Sequence, residues 1–353
     1  MKLRLSLTLG IGLATLAFAV FTRQGIPSHS SGLVADGAIA LSANNTAIVT
    51  AIASATRTAP TPTAAPTGAS QHILLLAGDI CRYNWESKDH TARCKQTGDL
   101  VRSVLAANPG AQVQTLGDNI NNDPDGSYDT EYTALYEPAW GSFLDVTHSV
   151  MGNHDTYPPG GATPYFDYFG AHAGKQPGYY SYNIGASWHV IVLNSQCSLA
   201  GGCNANSAQT TWLKNDLAEN TRKCILAAWH IPRWTSGRHA DNATYAAWWN
   251  LLYQYKADIV ANGHNHNYER FNQIDPDEQA APDGIREFIA GTGGSPGDSL
   301  TYAAYPLDPN EAVRNQSAVY GVLQLTLSDS SYSWKFLPVP DASFTDSGTS
   351  TCH

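Results

Sequence analysis

Five short apolar runs in this chain end in the same way, with Asp, Asn or His at or just past the last apolar residue. Ile73-Leu74-Leu75-Leu76 stops at Gly78-Asp79, Val113 to Leu116 at Gly117-Asp118, and Thr147 to Met151 at Gly152-Asn153-His154-Asp155. Ile225 to Trp229 ends at His230, and Ile259 to Ala261 leads into Gly263-His264-Asn265-His266. Such runs have the length of buried strands. In open α/β sheets the loops leaving the strands converge at one edge, and ligand sites form there. Helices are predicted from Thr97 to Asn108, around Trp212 to Leu217, and from Tyr245 to Tyr255. Further strands are predicted at Tyr180 to Ile184, Trp188 to Leu193, Ile285 to Ala290, Val319 to Leu327 and Ser331 to Leu337.

The remaining sequence sets the boundaries. Lys2 and Arg4 precede an apolar stretch from Leu5 to Val20 with Ala17-Phe18-Ala19 near its end, so 1–20 reads as a secretory signal peptide, with an uncleaved N-terminal anchor as the alternative. Residues 21–70 are an Ala/Ser/Thr/Pro-rich linker, too poor in large apolar groups to offset the entropy of ordering. A folded domain is expected over 71–340 and a tail over 341–353. Thirty acidic residues against 20 basic ones argue against specific nucleic-acid binding and against membrane attachment beyond that anchor. Six cysteines fit an oxidising, extracytoplasmic compartment. Cys197 with Cys203 is the best pair and Cys81 with Cys94 a plausible one, which leaves Cys224 with Cys352; sequence alone does not fix the connectivity.

Taken singly, the polar run-ends are weak signals, since Gly-Asp after a strand commonly forms a turn or a helix cap. Gly152-Asn153-His154-Asp155 has little packing value, and two histidines two residues apart in a loop can face neighbouring metals. In this order the five motifs resemble the calcineurin-like metallophosphoesterases, most closely the purple acid phosphatase branch, over about residues 72 to 338. The flank Asn267-Tyr268-Glu269-Arg270 is similar as well. The resemblance implies an α/β fold, a four-layer αββα sandwich of two mixed β-sheets flanked by helices. It also implies an exported metal-dependent phosphoric-ester hydrolase holding two Fe, Zn or Mn ions. Asp118 would bridge the pair, Asp79 and His266 would serve the first ion, and Asn153, His230 and His264 the second. A metal-bridging hydroxide would attack phosphorus, and His154, oriented by Asp155, would protonate the leaving group. Arg233, Arg238 and His239 are candidates for gripping a small phosphate-ester substrate.

Two positions depart from the branch. Its metal-binding Tyr is replaced by Asn121, and the His that other members place two residues after the first Asp is replaced by Cys81. Either could supply an extra ligand, Asn121 through its amide oxygen or Cys81 as a thiolate, the alternative for Cys81 being a disulfide. Without the tyrosinate the protein is not expected to be purple. Phosphomonoesters are expected ahead of diesters, with a phosphodiesterase or a non-catalytic exported binding protein as the alternatives. His148 and His189 read as strand residues, Trp248, Leu251 and Leu252 as a core stripe, and Gly291-Thr292-Gly293-Gly294 as a turn near the site.

Overall fold

The computed structural model describes residues 70–82, 92–121, 132–157, 161–239, 241–295, 309–314 and 319–353. They fall in one compact unit, Ala64–His353. The expected signal peptide, and the linker apart from Ser70, lie outside the described residues.

Both faces of β1 (His72–Ala77) are buried, which is why it reads as an uninterrupted apolar run. Side chains alternate across a strand. Leu74 and Leu76 therefore enter one core with Val190, Leu226, Phe288 and Leu325, while Leu75 and Ala77 enter another with Val101, Val113 and Trp140. The first sheet has the order β15 (Ser347–Thr351), β14 (Ser331–Pro338), β13 (Gly321–Leu327), β1, β3 (Gln112–Thr115), β5 (Thr147–His148). Strands β1, β3 and β5 run parallel, and β13 to β15 add antiparallel partners. The second sheet has the order β12 (Glu311–Arg314), β10 (Tyr268–Ile274), β11 (Ile285–Ala290), β9 (Ile259–Asn262), β8 (Cys224–Ala228), β7 (Trp188–Val192), β6 (Tyr180–Ile184). Its β7, β8, β9 and β11 are parallel, with antiparallel strands at the edges.

The inner faces of the two sheets share one core. Outside the first sheet pack α1 (Ala92–Ala107), α2 (Glu137–Trp140) and α3 (Thr163–Phe169), with an aromatic cluster of Tyr136, Trp140, Tyr165 and Phe169. Outside the second pack α4 (Ala208–Glu219) and α5 (Ala246–Gln254), through Leu213, Leu217, Trp248 and Leu252. The result is helix, sheet, sheet, helix, as the motifs implied. Among the described residues no helix is long and apolar enough to cross a membrane. A two-residue parallel pair, β2 (Cys81–Arg82) with β4 (Ile120–Asn121), extends beyond the first sheet's edge loops.

Several boundaries differ from expectation. Helix α1 starts at Ala92 rather than Thr97. Its first two turns are fixed by the Cys81–Cys94 disulfide and by the Thr97 hydroxyl on the Gly293 carbonyl, neither of which leaves a periodic signal. The third predicted strand pairs only over Thr147–His148. Beyond it, Ser149 N–H donates to the His172 carbonyl and Val150 N–H to Thr115 Oγ1, so loop and side-chain acceptors replace a ladder. The stretch 341–353, expected as a tail, contains β15, paired to β14 from Ser331↔Thr351 to Lys335↔Ser347. It is an edge strand of Ser, Gly and Thr with no apolar face to announce it. All three disulfides pair as anticipated, with Cα–Cα distances of 5.3, 5.2 and 5.5 Å.

Candidate metal centre

The first sheet delivers Asp79 after β1, Asp118 after β3 and Asn153 beyond β5, and the second delivers His230 after β8 and His264 and His266 after β9. The centre thus forms where the carboxyl ends of both sheets' parallel strands meet. Asp79, Asp118 and His264 all have left-handed backbone, with φ of 56°, 48° and 72°. For non-glycine residues this is a strained conformation that surrounding structure must enforce. It is enforced by bonds between loops: Asp79 N–H to the Gly117 carbonyl at 2.9 Å, Ile80 N–H to the Asp118 carbonyl at 2.9 Å, and Gly263 N–H to the His230 carbonyl at 3.1 Å. Close approach explains the glycines. A Cβ on Gly117 (φ +87°) would lie 2.6–2.7 Å from the His230 ring, and one on Gly152 would strike the Asp118 carboxylate.

His230 carries the chemistry furthest. Its Nδ1 lies 2.8 Å from the Leu116 carbonyl, an atom that can only accept, so Nδ1 bears the proton. In the neutral ring Nε2 is then a bare lone pair. It faces Asn153 Oδ1 at 3.1 Å, His264 Nδ1 at 3.2 Å and Asp118 Oδ2 at 3.3 Å. Asp118, His230 and His264 offer ligand atoms that all lie within 4.8 Å of one another. Beside them Asp79 Oδ2 accepts the His264 N–H at 2.8 Å, while Asp79 Oδ1, fully buried, takes no hydrogen bond and faces His266 Nε2 at 3.2 Å. Converging acceptors with an orphaned buried carboxylate oxygen suit cations, and a mixed N/O donor set suits Zn, Mn or Fe.

The electrostatics agree. Burial alone would depress His230, yet the Asp118 carboxylate, helped by Asp79, pushes it up to about 9. Burial would raise Asp118, but the surrounding His230, His154 and His264 hold it well below the usual carboxylate range. Burial, with His230 and His239 nearby, drops His264 to about 2. Burial also lowers His154. The region demands positive charge at its centre and spreads it poorly among its own histidines.

The other expected site residues meet varied fates. Asp155 does not orient the His154 ring. Its carboxylate accepts the Gly152 N–H at 2.8 Å, the Asn119 side-chain amide at 3.0 Å and the Tyr132 hydroxyl at 2.7 Å, and His154 Nδ1 is buried without a hydrogen bond. Cys81 cannot serve as a thiolate, because its sulfur is bonded to Cys94. Asn121 pairs with Arg82 through its backbone, and its side chain lies outside the described residues. Arg233 lays its guanidinium 3.4 Å over the Trp234 ring, and its backbone N–H donates to Glu287 Oε1 at 3.3 Å. Arg238 is exposed. His239, also exposed, reaches the centre, its ring 4.2 Å from that of His264. A second cluster, Cys224, Asp258 and Cys352, offers no thiolate, since its cysteines are joined.

Sequence reasoning missed the residues that hold the loops. Buried Glu269 accepts from the Thr235 hydroxyl, the Ser236 N–H and the Asn267 amide, while the Asn265 amide donates to Thr235 Oγ1 at 2.7 Å. It ties the loop after His230 to the loop carrying His264 and His266. Ser295 N–H on the Asp79 carbonyl and Gly293 N–H on the Gly78 carbonyl give the Gly-rich turn a similar part beside Asp79. The Glu269 flank and the Gly-rich turn near the site had left a signal in sequence, whereas their partners had not.

Comparison with known proteins gives a concordant picture. The family model for calcineurin-like phosphoesterases matches residues 72–268. Purple acid phosphatase 15 of Arabidopsis thaliana is 33% identical over 123 residues, covering 33% of this chain and 22% of that protein. Purple acid phosphatase 21 of the same plant is 28% identical over 222 residues, covering 56% and 49%. The chain therefore spans between about a fifth and a half of the length of these relatives. Among solved structures, purple acid phosphatase PPD1 from yellow lupin (Lupinus luteus) seeds aligns with a TM-score of 0.65 at 16% identity, over 80% of this chain and 54% of that one. GAP50, described as the anchor in the inner membrane complex of Plasmodium, aligns at 0.59 and 15%, over 80% and 89%. At these identities the structural likeness speaks for the fold.

Proposed function

Because the chain belongs to the calcineurin-like phosphoesterase family, we propose that it is an exported hydrolase of phosphate esters that works with two metal cations. The observation that carries this reading is the convergence of His230 Nε2 on Asn153 Oδ1, His264 Nδ1 and Asp118 Oδ2 at 3.1–3.3 Å. Asp79 and His266 would hold one cation, Asn153, His230 and His264 the other, and Asp118 would lie between them. When bound, such a pair would polarise phosphoryl oxygens and acidify a water. His154, with its side chain 26% exposed and Nε2 3.9 Å from Asp118, stands at the mouth and would pass its proton to the departing alkoxide oxygen. His239, against the His264 ring, would contact a substrate oxygen. Asp155 keeps the turn that presents Asn153 and His154 docked on Asn119 and Gly152. Likeness to proteins named purple acid phosphatases supports phosphomonoesters over diesters as this chain's substrates, and three disulfides support export.

One observation favours a second reading, a binding protein on the same scaffold: with Cys81 in a disulfide, the described residues offer the first cation Asp79, Asp118 and His266 but no thiolate. The test combines metal analysis with hydrolysis of p-nitrophenyl phosphate and bis-p-nitrophenyl phosphate. Two cations per chain and faster monoester turnover are expected. His154→Ala should lower turnover by about 10²–10⁴-fold with both cations retained. Absence of metal-dependent turnover of either ester would leave the binding protein standing.

A further inference from the structure

Asn153 and His154 stand side by side in one turn, and Tyr157 touches both. The Tyr157 hydroxyl accepts a hydrogen bond from Asn153 Nδ2 at 3.1 Å. That bond turns the amide so that its oxygen, the atom able to ligate a cation, faces His230 Nε2. The Tyr157 ring meets the His154 imidazole edge to face, with centroids 4.8 Å apart and planes at 71°, an arrangement that ring quadrupoles favour. No hydrogen bond at His154 Nδ1 does this work, and Asp155 is occupied elsewhere. Tyr157 is nevertheless 57% exposed, more than any other large apolar side chain among the described residues.

We propose that Tyr157 is a positioning residue that sets the ligating face of Asn153 and braces the His154 ring, and that its outward face forms the leaving-group side of the site, favouring aryl over alkyl phosphate esters. The second half rests on the phosphoesterase reading. A departing oxygen that takes its proton from His154 must lie within hydrogen-bond reach of that ring. The group attached to it then lies beside the exposed aromatic face of Tyr157, and an aryl group can stack there where a short alkyl chain cannot.

Two variants separate the parts, since Tyr157→Phe removes the hydroxyl and keeps the ring, whereas Tyr157→Leu removes both. The readouts are Zn²⁺ affinity of metal-stripped protein, titrated against a chromophoric chelator, and the kcat/KM ratio for phenyl phosphate over glycerol phosphate. Relative to wild type, Tyr157→Phe should weaken the Zn²⁺ held by Asn153, His230 and His264 by about tenfold and leave the ratio unchanged. Tyr157→Leu should weaken Zn²⁺ similarly and lower the ratio by about fivefold or more. Unchanged Zn²⁺ affinity in Tyr157→Phe would overturn the positioning role, and an unchanged ratio in Tyr157→Leu would overturn the leaving-group role. If wild type binds Zn²⁺ but hydrolyses neither ester, the phosphoesterase reading and the leaving-group role fall together, and the Zn²⁺ titration still decides the positioning role.

Discussion

A buried carboxylate that accepts from the Gly152 N–H, the Asn119 amide and the Tyr132 hydroxyl holds donors that solvent cannot easily reach, and removing it orphans all of them. Each unsatisfied buried donor costs about 1–3 kcal/mol. Asp155→Ala should therefore lower stability by about 3 kcal/mol or more in urea unfolding, and should release the turn bearing Asn153 and His154. Asp155→Asn, which keeps one acceptor oxygen, should lose less. A role confined to tuning His154 would instead give a variant of wild-type stability. The same logic of donors and acceptors makes His230 informative, because the Leu116 carbonyl fixes its tautomer and leaves one nitrogen for other work.

At the scale of elements, the loops decide the site and the strands only aim them. Gly117 leaves β3 with φ +87° and passes within a Cβ's reach of the His230 ring. Gly117→Ala should displace His230 and abolish the cation site shared by Asn153, His230 and His264 while leaving the secondary structure intact, which metal analysis and far-ultraviolet circular dichroism would check together. Strands such as β1 and β8 were legible in sequence because both of their faces are buried, so every residue after His72 in the first and every residue in the second is apolar. The ligand-bearing loops were legible because polar residues recur at the ends of those runs. Edge strand β15 was not, since solvent on its open side removes the pressure for apolar residues. Nor was the part of Asp155 or Tyr157, whose partners, Tyr132 and Asn119 for one, the Asn153 amide and the His154 ring for the other, are fixed by tertiary placement rather than spacing.

Across the whole molecule, the two sheets must keep register for the centre to exist, and Asp258 marks one junction. Its carboxylate accepts the Ile225 N–H at 2.8 Å from β8 and the His353 N–H at 2.8 Å from beyond β15. Burial pushes its carboxyl up from 3.8 to about 6, against those bonds. A raised acid holds its proton more tightly when folded, so its stabilising contribution is complete below about pH 4 and is lost as pH rises through about 6. Asp258→Asn should remove this slope, so that urea unfolding from pH 4 to 7 gives a variant that gains on wild type as pH rises; parallel profiles would rule the coupling out. Close by, Cys352 follows β15 of one sheet and Cys224 opens β8 of the other, the strand that ends two residues before His230. A single covalent rivet therefore fastens the strand bearing that histidine to the half of the protein bearing Asp79 and Asp118. Where thiols stay reduced, the same polypeptide would have to keep its two halves in step by greasy contact and by a few hydrogen bonds such as that of His353 to Asp258.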